Sequence, residues 1–374
     1  MKNKMIKKVT ALAAAGMMVF SMTACGSTAA TESAASTAET AAETAAAVSE
    51  SASENTEAGK EYKVGIVQFV DDASLNQIEK NIQKQLDVKG EELGVTFNYA
   101  DYTFNGQADG TVLQQIAAEL VADEVDVIVP IATPTAQIMQ NATAENGIPV
   151  VFSAVSDPVG AKLAASMDAP GSNITGTSDA LNTNAIMDLI FAQNPDASYI
   201  GLLYSNSEDS SKQPIADAKA YLDAKGIKYI EKTGTDTTGI QDAANALAAE
   251  GVDAVFTPTD NTVMTAELAI YKTFMEAGIP HYAGADSFAL NGAFCGYGVD
   301  YANLGKETAN MVVEILVNGA DPASTGIKTF DNGIATINTD VCTELGLDAA
   351  AVKEAFGPFC TSVNEVVTAK EFED

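Results

Sequence analysis

Two stretches of this chain share one plan. Residues 125–158 read VDVIVPIATPTAQIMQNATAENGIPVVFSAVSDP, and residues 252–287 read VDAVFTPTDNTVMTAELAIYKTFMEAGIPHYAGADS. Each begins Val-Asp plus an apolar run and passes through a Thr/Pro turn into a helical span. Each then returns through Gly-Ile-Pro to a second strand. Short apolar runs of this length suit strands buried on both faces, as parallel strands are. Strands alternating with amphipathic helices mean a parallel sheet covered by helices. A plan written twice predicts two similar α/β lobes. The polar turns that follow their strands are where open parallel sheets bind ligands.

The rest of the chain fits around these units. Met1–Lys8 carries four Lys, and Val9–Phe20 is uncharged and largely apolar. This reads as a secretory signal, with an apolar run too short to span a membrane comfortably. It closes on Met22-Thr23-Ala24-Cys25-Gly26, which resembles a bacterial lipobox with Met in place of the usual Leu. That resemblance implies cleavage after residue 24 and lipid on Cys25. Residues 25–60 are then a linker of Ala, Ser, Thr and Glu, too poor in apolar residues to fold. From Glu61 the pattern becomes strand and helix in turn, starting with Tyr62–Phe69 and Leu75–Glu92. A late helix is predicted at Tyr301–Asn318. A hairpin is predicted for Ile327–Phe330 and Gly333–Ile337, around Asp331-Asn332-Gly333, with a helical tail at Asp340–Phe356.

Composition excludes several chemistries. The net charge is −31, from 20 basic and 51 acidic residues. Nucleic acid is therefore not an expected partner, since phosphate binding needs clustered basic residues. Every basic residue is Lys; the chain has no Arg, so the planar fork that clamps carboxylates is missing. An anion must be held by backbone N–H groups, hydroxyls or Lys. One His, His281, rules out a multi-His metal site. There is no GxGxxG, GxxxxGK[ST], GxSxG or HExxH, so phosphate-loop, nucleophile-elbow and metalloprotease signatures are absent. His281 reads as a structural histidine at a strand start. The chain is expected to be neither an enzyme nor the holder of a cofactor. Besides Cys25 there are Cys295, Cys342 and Cys360. Cys342 and Cys360 could pair, or all three could be small buried hydrophobes.

Ligand chemistry should sit at the strand ends, where helix N-termini offer free N–H groups and a positive dipole end. Two turns of the first unit concentrate hydroxyls: Thr133-Pro134-Thr135 and Ser153-Ala154-Val155-Ser156-Asp157-Pro158. Each residue taken alone also suits a helix N-cap. Asp260 and Asp286 stand at matching positions of the two turns in the second unit. They are either solvated caps or counter-charges for a bound ammonium.

The phrases VGIVQF, DVIVPIATPTAQ, IPVVFSAVSDPVGA, NITGTSD and FTPTDNTV, behind a lipoprotein-like signal and spacer, carry a resemblance over residues 63 to about 345. The chain resembles a substrate-binding lipoprotein of an ABC importer, of the type 1 periplasmic binding protein fold. Within that group it is similar to the branch for aromatic amino acids, tryptophan or tyrosine. The resemblance implies two doubly wound parallel-sheet lobes joined by a three-segment hinge. One lobe would hold 61–176 plus 298–321, the other 177–297 plus 322–374. It implies a small ligand, an amino acid, bound between the lobes and delivered to an ABC permease. The protein would be lipid-anchored on the outer face of the cell membrane through Cys25. A sugar or nucleoside binder of the same fold, or a ligand sensor not coupled to transport, would share these features; the absence of Trp and Arg speaks against a sugar. On the family pattern, the carboxylate would meet Thr133, Thr135, Ser153 and Ser156 with their backbone amides. The ammonium would meet Asp157, Asp260 or Asp286, with Asn261 and Ser178 as secondary positions. Phe69 replaces the polar residue expected there, and either faces an aromatic ligand or ends its strand in the core.

Overall fold

In the computed structural model, residues 59–372 are described. The predicted signal, Cys25 and all of the linker before Gly59 lie outside the described residues. The first lobe runs β1 (Glu61–Gln68), α1 (Ala73–Leu93), β2 (Thr96–Asn98), β3 (Thr103–Asn105), α2 (Gly110–Ala122), β4 (Val127–Ile131), α3 (Thr133–Thr143), β5 (Val150–Phe152) and β6 (Ile174–Ser178). The second runs α4 (Thr183–Gln193), β7 (Tyr199–Ser205), α5 (Lys212–Lys225), β8 (Lys228–Gly234), α6 (Thr237–Glu250), β9 (Ala254–Thr257), α7 (Asn261–Glu276), β10 (His281–Ala283), α8 (Asp286–Leu290) and β11 (Cys295–Gly298). The chain closes with α9 (Tyr301–Leu316), β12 (Lys328–Thr329), β13 (Ile334–Asn338), α10 (Thr339–Glu344), α11 (Ala349–Phe356) and β14 (Ser362–Val366).

Two sheets result. One has the order β12-β6-β5-β4-β1-β2, with β3 also on β1; the other is β14-β13-β11-β10-β9-β7-β8. Strand pairs are parallel throughout, except β11 with β13. The apolar run VIVPI of β4 is buried at every position, as a strand covered on both faces must be. This is the α/β, two-lobe architecture of type 1 periplasmic binding proteins.

The late helix belongs to the first lobe. Its residue Gly305 lies so close to α1 that a Cβ there would stand 2.6 Å from the Ile78 carbonyl oxygen. Thr308 on the same helix shares hydrogen bonds with the hydroxyls of Ser153 (2.9 Å) and Thr177 (2.8 Å), which fixes α9 against β5 and β6.

The predicted hairpin after α9 does not form. β12 lies parallel to β6 at the edge of the first sheet, whereas β13 pairs antiparallel with β11 in the second. Asp331-Asn332-Gly333 is therefore a crossing between lobes and not a hairpin turn. The predicted tail helix is broken into α10 and α11, and a further strand, β14, follows. The three cysteines of the folded part are free thiols.

Candidate functional site

The carboxyl ends of the strands of both lobes meet across a closed cleft. From the first lobe the cavity is lined by Ser74, Leu75, Ala132, Thr133, Ala154, Ser156 and Asp179. From the second come Ser210, Thr259, Asn261, Met264 and Ala285, and Tyr301 enters at the start of α9. The lobes touch directly over it. Ser74 Oγ donates to Asp286 Oδ1 at 2.5 Å, and Gln137 Nε2 donates to Asp209 Oδ2 at 2.7 Å. Closed in this way, the free space at the centre holds little more than an ordered water. A larger occupant requires the walls to part.

The first-lobe wall contains a helix start without a side-chain cap. Among the described residues eight helices, α1, α2, α4, α6, α7, α9, α10 and α11, have an Asp or Asn side chain accepting hydrogen bonds from the first turn. α3, α5 and α8 have none; at α3 the N-cap is Ala132, whose side chain cannot accept. Thr133 at its first position lines the cavity, and the buried Thr135 hydroxyl has no hydrogen-bond partner. An uncapped helix N-terminus leaves free N–H groups and a positive dipole end, the combination that binds carboxylates. Ala132 and Ala154, both lining the cavity, have positive φ (78° and 55°), a conformation that non-glycine residues adopt at a cost. Such strain is retained where surrounding structure enforces it, here at the two turns that shape the cleft.

Asp179 lines the same cavity, and Asp72 and Asp286 lie behind it, next to Tyr301 and Ser74. Asp179, on the wall, accepts from Ser156 Oγ at 2.9 Å. Burial pushes its pKa up to about 6, opposed by the Ser156 hydroxyl. Asp72 caps α1 through the N–H groups of Ser74 and Leu75, yet burial still raises it to about 7, and Asp286 adds repulsion. Asp286, partly open on its outer side, is raised to about 6, chiefly by desolvation. The Tyr301 hydroxyl sits among them: burial first, then Asp179, Asp286 and Asp72, push it well above its ordinary range. Desolvated acids facing one another disfavour ionisation, and a cation brought among them would reverse this.

The sequence-derived candidates divide by position. Thr133, Ala154, Ser156 and Asn261 line the cavity. Pro134 and Thr135 stand beside Thr133 in the first turn of α3. Asp286 lies behind the lining, accepting from Ser74, and borders an outer groove. Ser153 lies outside the lining, with its hydroxyl engaged by Thr308. Val155 is part of the apolar core behind the turn. Ser178 donates to the Ser156 carbonyl and accepts from Ala180 N, so it braces the turn. Asp157 accepts from Gly160 N at 2.8 Å and faces an outer groove. Asp260 caps α7 and accepts from Ser205 N and Ser211 Oγ, a fully occupied structural carboxylate. Phe69 is buried in the first lobe's core. His281 is buried in the second lobe, bonded to Glu267 and Thr257, away from the cleft.

Sequence reasoning missed Ser74, Asp179, Ser210 and Tyr301 as lining residues. Asp179 ends the phrase NITGTSD directly after β6, and Ser74 lies in the first turn of α1, just after β1. A signal was present for both, since each follows a strand of the first sheet.

Comparison with known proteins identifies the family. Residues 63–354 match the family described as ABC transporter substrate binding protein. A curated relative, the "Tyrosine-binding protein" of Clostridioides difficile, is 32% identical over 292 residues, covering 78% of this chain and 83% of its own. The crystal structure of an ABC domain in complex with L-Trp, from Streptococcus pneumonia, is 32% identical with TM-score 0.73, covering 81% of this chain and 99% of its own. The ligand-free, open structure of a substrate binding protein with adhesive properties from Clostridium difficile is 30% identical with TM-score 0.61, covering 82% and 100%. At nearly equal identity, the closed cleft described above is nearer in shape to the ligand-bound structure than to the open one.

Proposed function

The chain belongs to the ABC transporter substrate-binding protein family, and we propose that its cleft holds the head group of an amino acid in zwitterionic form. The observation that carries this is one of charge. A helix N-terminus without a cap, with an unpartnered Thr135 hydroxyl, shares a cavity with Asp179, and Asp72 and Asp286 stand close behind. A carboxylate suits the first and an ammonium suits the second. No Lys lines the cavity to neutralise the acids, so the ligand must bring the positive charge. The named relatives, one a tyrosine-binding protein and one solved with L-Trp, support an aromatic side chain. Leu75 and Met264 give such a ring apolar walls, and Met is the side chain that adapts most readily to an aromatic face. Closure of two lobes over a ligand then presents a composite surface to a membrane permease, as the family's role in ABC import requires.

Thermal melts of the purified protein against amino acids, sugars and nucleosides test this. An amino acid at about 100 times its Kd adds ~2.7 kcal/mol of stability. A panel in which a sugar raises Tm and no amino acid does would overturn the reading.

The location is also proposed, as extracytoplasmic and lipid-anchored. Support comes from the basic-then-apolar N-terminal segment and the Met22–Gly26 sequence. Two or more acyl chains anchor stably, at ~0.8 kcal/mol per buried CH₂. Cys25→Ala should abolish labelling by fatty acid and release the protein into the medium. Retention at the membrane by the Cys25→Ala protein would rule the anchor out.

A further inference from the structure

The turn after β7 supplies a second polar group to the cavity, at a distance from the acids. Ser210 and Asn261 both line the cavity. Both give their donors to Glu208: Ser210 Oγ to Oε2 at 3.2 Å, and Asn261 Nδ2 to Oε2 at 3.0 Å. Glu208 is itself buried, and its other oxygen is taken by Thr262 N and Thr262 Oγ1. Four donors therefore saturate its carboxylate. Glu208 has nothing left to offer a ligand, but it fixes what its neighbours can offer. With the Ser210 proton and one Asn261 amide proton turned to Glu208, the Ser210 oxygen and Asn261 Oδ1 remain as acceptors, beside the second Asn261 N–H.

The sheet order places this group. β10, which leads to Asp286, is separated from β7 by β9 alone. Two strand spacings put the Glu208–Ser210 turn about 10 Å along the edge from the Asp286 turn. The lining thus has acceptors at Asp179 on the first lobe and at Ser210 and Asn261 on the second, with the uncapped start of α3 on the first lobe. We propose that Ser210 and Asn261, oriented by Glu208, select an amino acid whose side chain carries a hydrogen-bond donor at its far end, a phenol O–H or an indole N–H. This rests on the amino-acid reading above. Glu208 is the positioning residue; Ser210 and Asn261 make the contact. A ligand without the donor buries these acceptors unsatisfied, which is the most effective form of polar discrimination.

Calorimetric Kd values for L-tyrosine, L-tryptophan and L-phenylalanine, on the wild type and on Ser210→Ala, Asn261→Leu and Glu208→Gln, test the assignment. Wild type should prefer tyrosine or tryptophan over phenylalanine by roughly 10–100-fold. In Ser210→Ala, a small change that folding should tolerate, the preference should shrink several-fold, as the tyrosine or tryptophan Kd weakens and the phenylalanine Kd tightens with the unsatisfied acceptor gone. Glu208→Gln should blunt the preference too, because an amide presents one acceptor and a donor in place of the carboxylate. Equal wild-type affinities for phenylalanine and tyrosine would overturn the inference and leave the amino-acid reading standing. So would an undiminished preference in all three variants. If none of the three ligands binds while another amino acid does, the donor rule fails alone; if no amino acid binds, both readings fall together.

Discussion

Asp179 shows what a single residue contributes here and how to test it. Its folded pKa is about 6, with Asp72 at about 7 and Asp286 at about 6. An unfolded Asp titrates near ~3.9. Between about pH 4 and 7 the folded state therefore holds protons that the unfolded state has lost. Stability without ligand is highest at the acid end of that window and falls as pH rises through it. Ligand affinity runs the other way, because an ammonium needs the ionised carboxylates; it should weaken as pH falls from 7 to 5. Tm measured against pH, with and without tyrosine, should show both slopes. Asp179→Asn should leave the ligand-free protein as stable or more stable at pH 7, yet weaken tyrosine by roughly 10–100-fold, the worth of a hydrogen bond to a charged group. Unchanged affinity would remove Asp179 from the ammonium contact. The sequence could name Asp286 and Asn261, because they open helices right after strands. It could not tell Asp260, spent on Ser205 N and Ser211, from Asp179, which keeps a face on the cavity. Both follow strands and both are buried. Only the neighbours differ, and neighbours are a property of the folded chain.

At the scale of elements, the pairing of α1 with α9 decides where the late helix goes. The helices approach so closely at Gly305 and Ile78 that no side chain fits. Gly305→Ala would force the backbones apart, and overpacking of this kind costs about 1–3 kcal/mol. Urea unfolding should show a lower midpoint at unchanged slope; a midpoint equal to wild type would mean that the contact is loose. Strong apolar runs such as β4 and β7, and capped amphipathic helices such as α1 and α2, were legible. β6 was not, because ITGTS lacks an apolar run: its small polar residues are buried only through the hydroxyl set of Ser153, Thr177 and Thr308. The hairpin failed for the converse reason. Asp331-Asn332-Gly333 is good local turn chemistry, but β12 finds a partner in β6 and β13 finds one in β11. Long-range pairing outweighed the local preference.

At the scale of the molecule, closure is what brings the site into being. Ser74 and Asp286 lie 212 residues apart in sequence and 2.5 Å apart in the fold. Asn332, on one of the lobe-crossing segments, donates to the Ala180 carbonyl, on another, and so ties two crossings together. The doubled Val-Asp unit of the sequence becomes two facing sheet edges, and the ligand site is the gap between them. The first edge carries the uncapped start of α3 with Asp72 and Asp179, and the second brings Asp286 to them across the gap.

The sequence by itself determined the class of fold, the existence of two lobes, the position of the polar turns and the need for anion binding without Arg. These follow from periodicity, capping chemistry and composition, which are local or additive. Tertiary structure alone decided which of 51 acidic residues lose their solvent in the cleft, and which helix is left without a cap facing it. A carboxylate's charge state depends on the dielectric and the donors around it. Those are set by residues distant in the chain, and only the folded, closed arrangement brings them together.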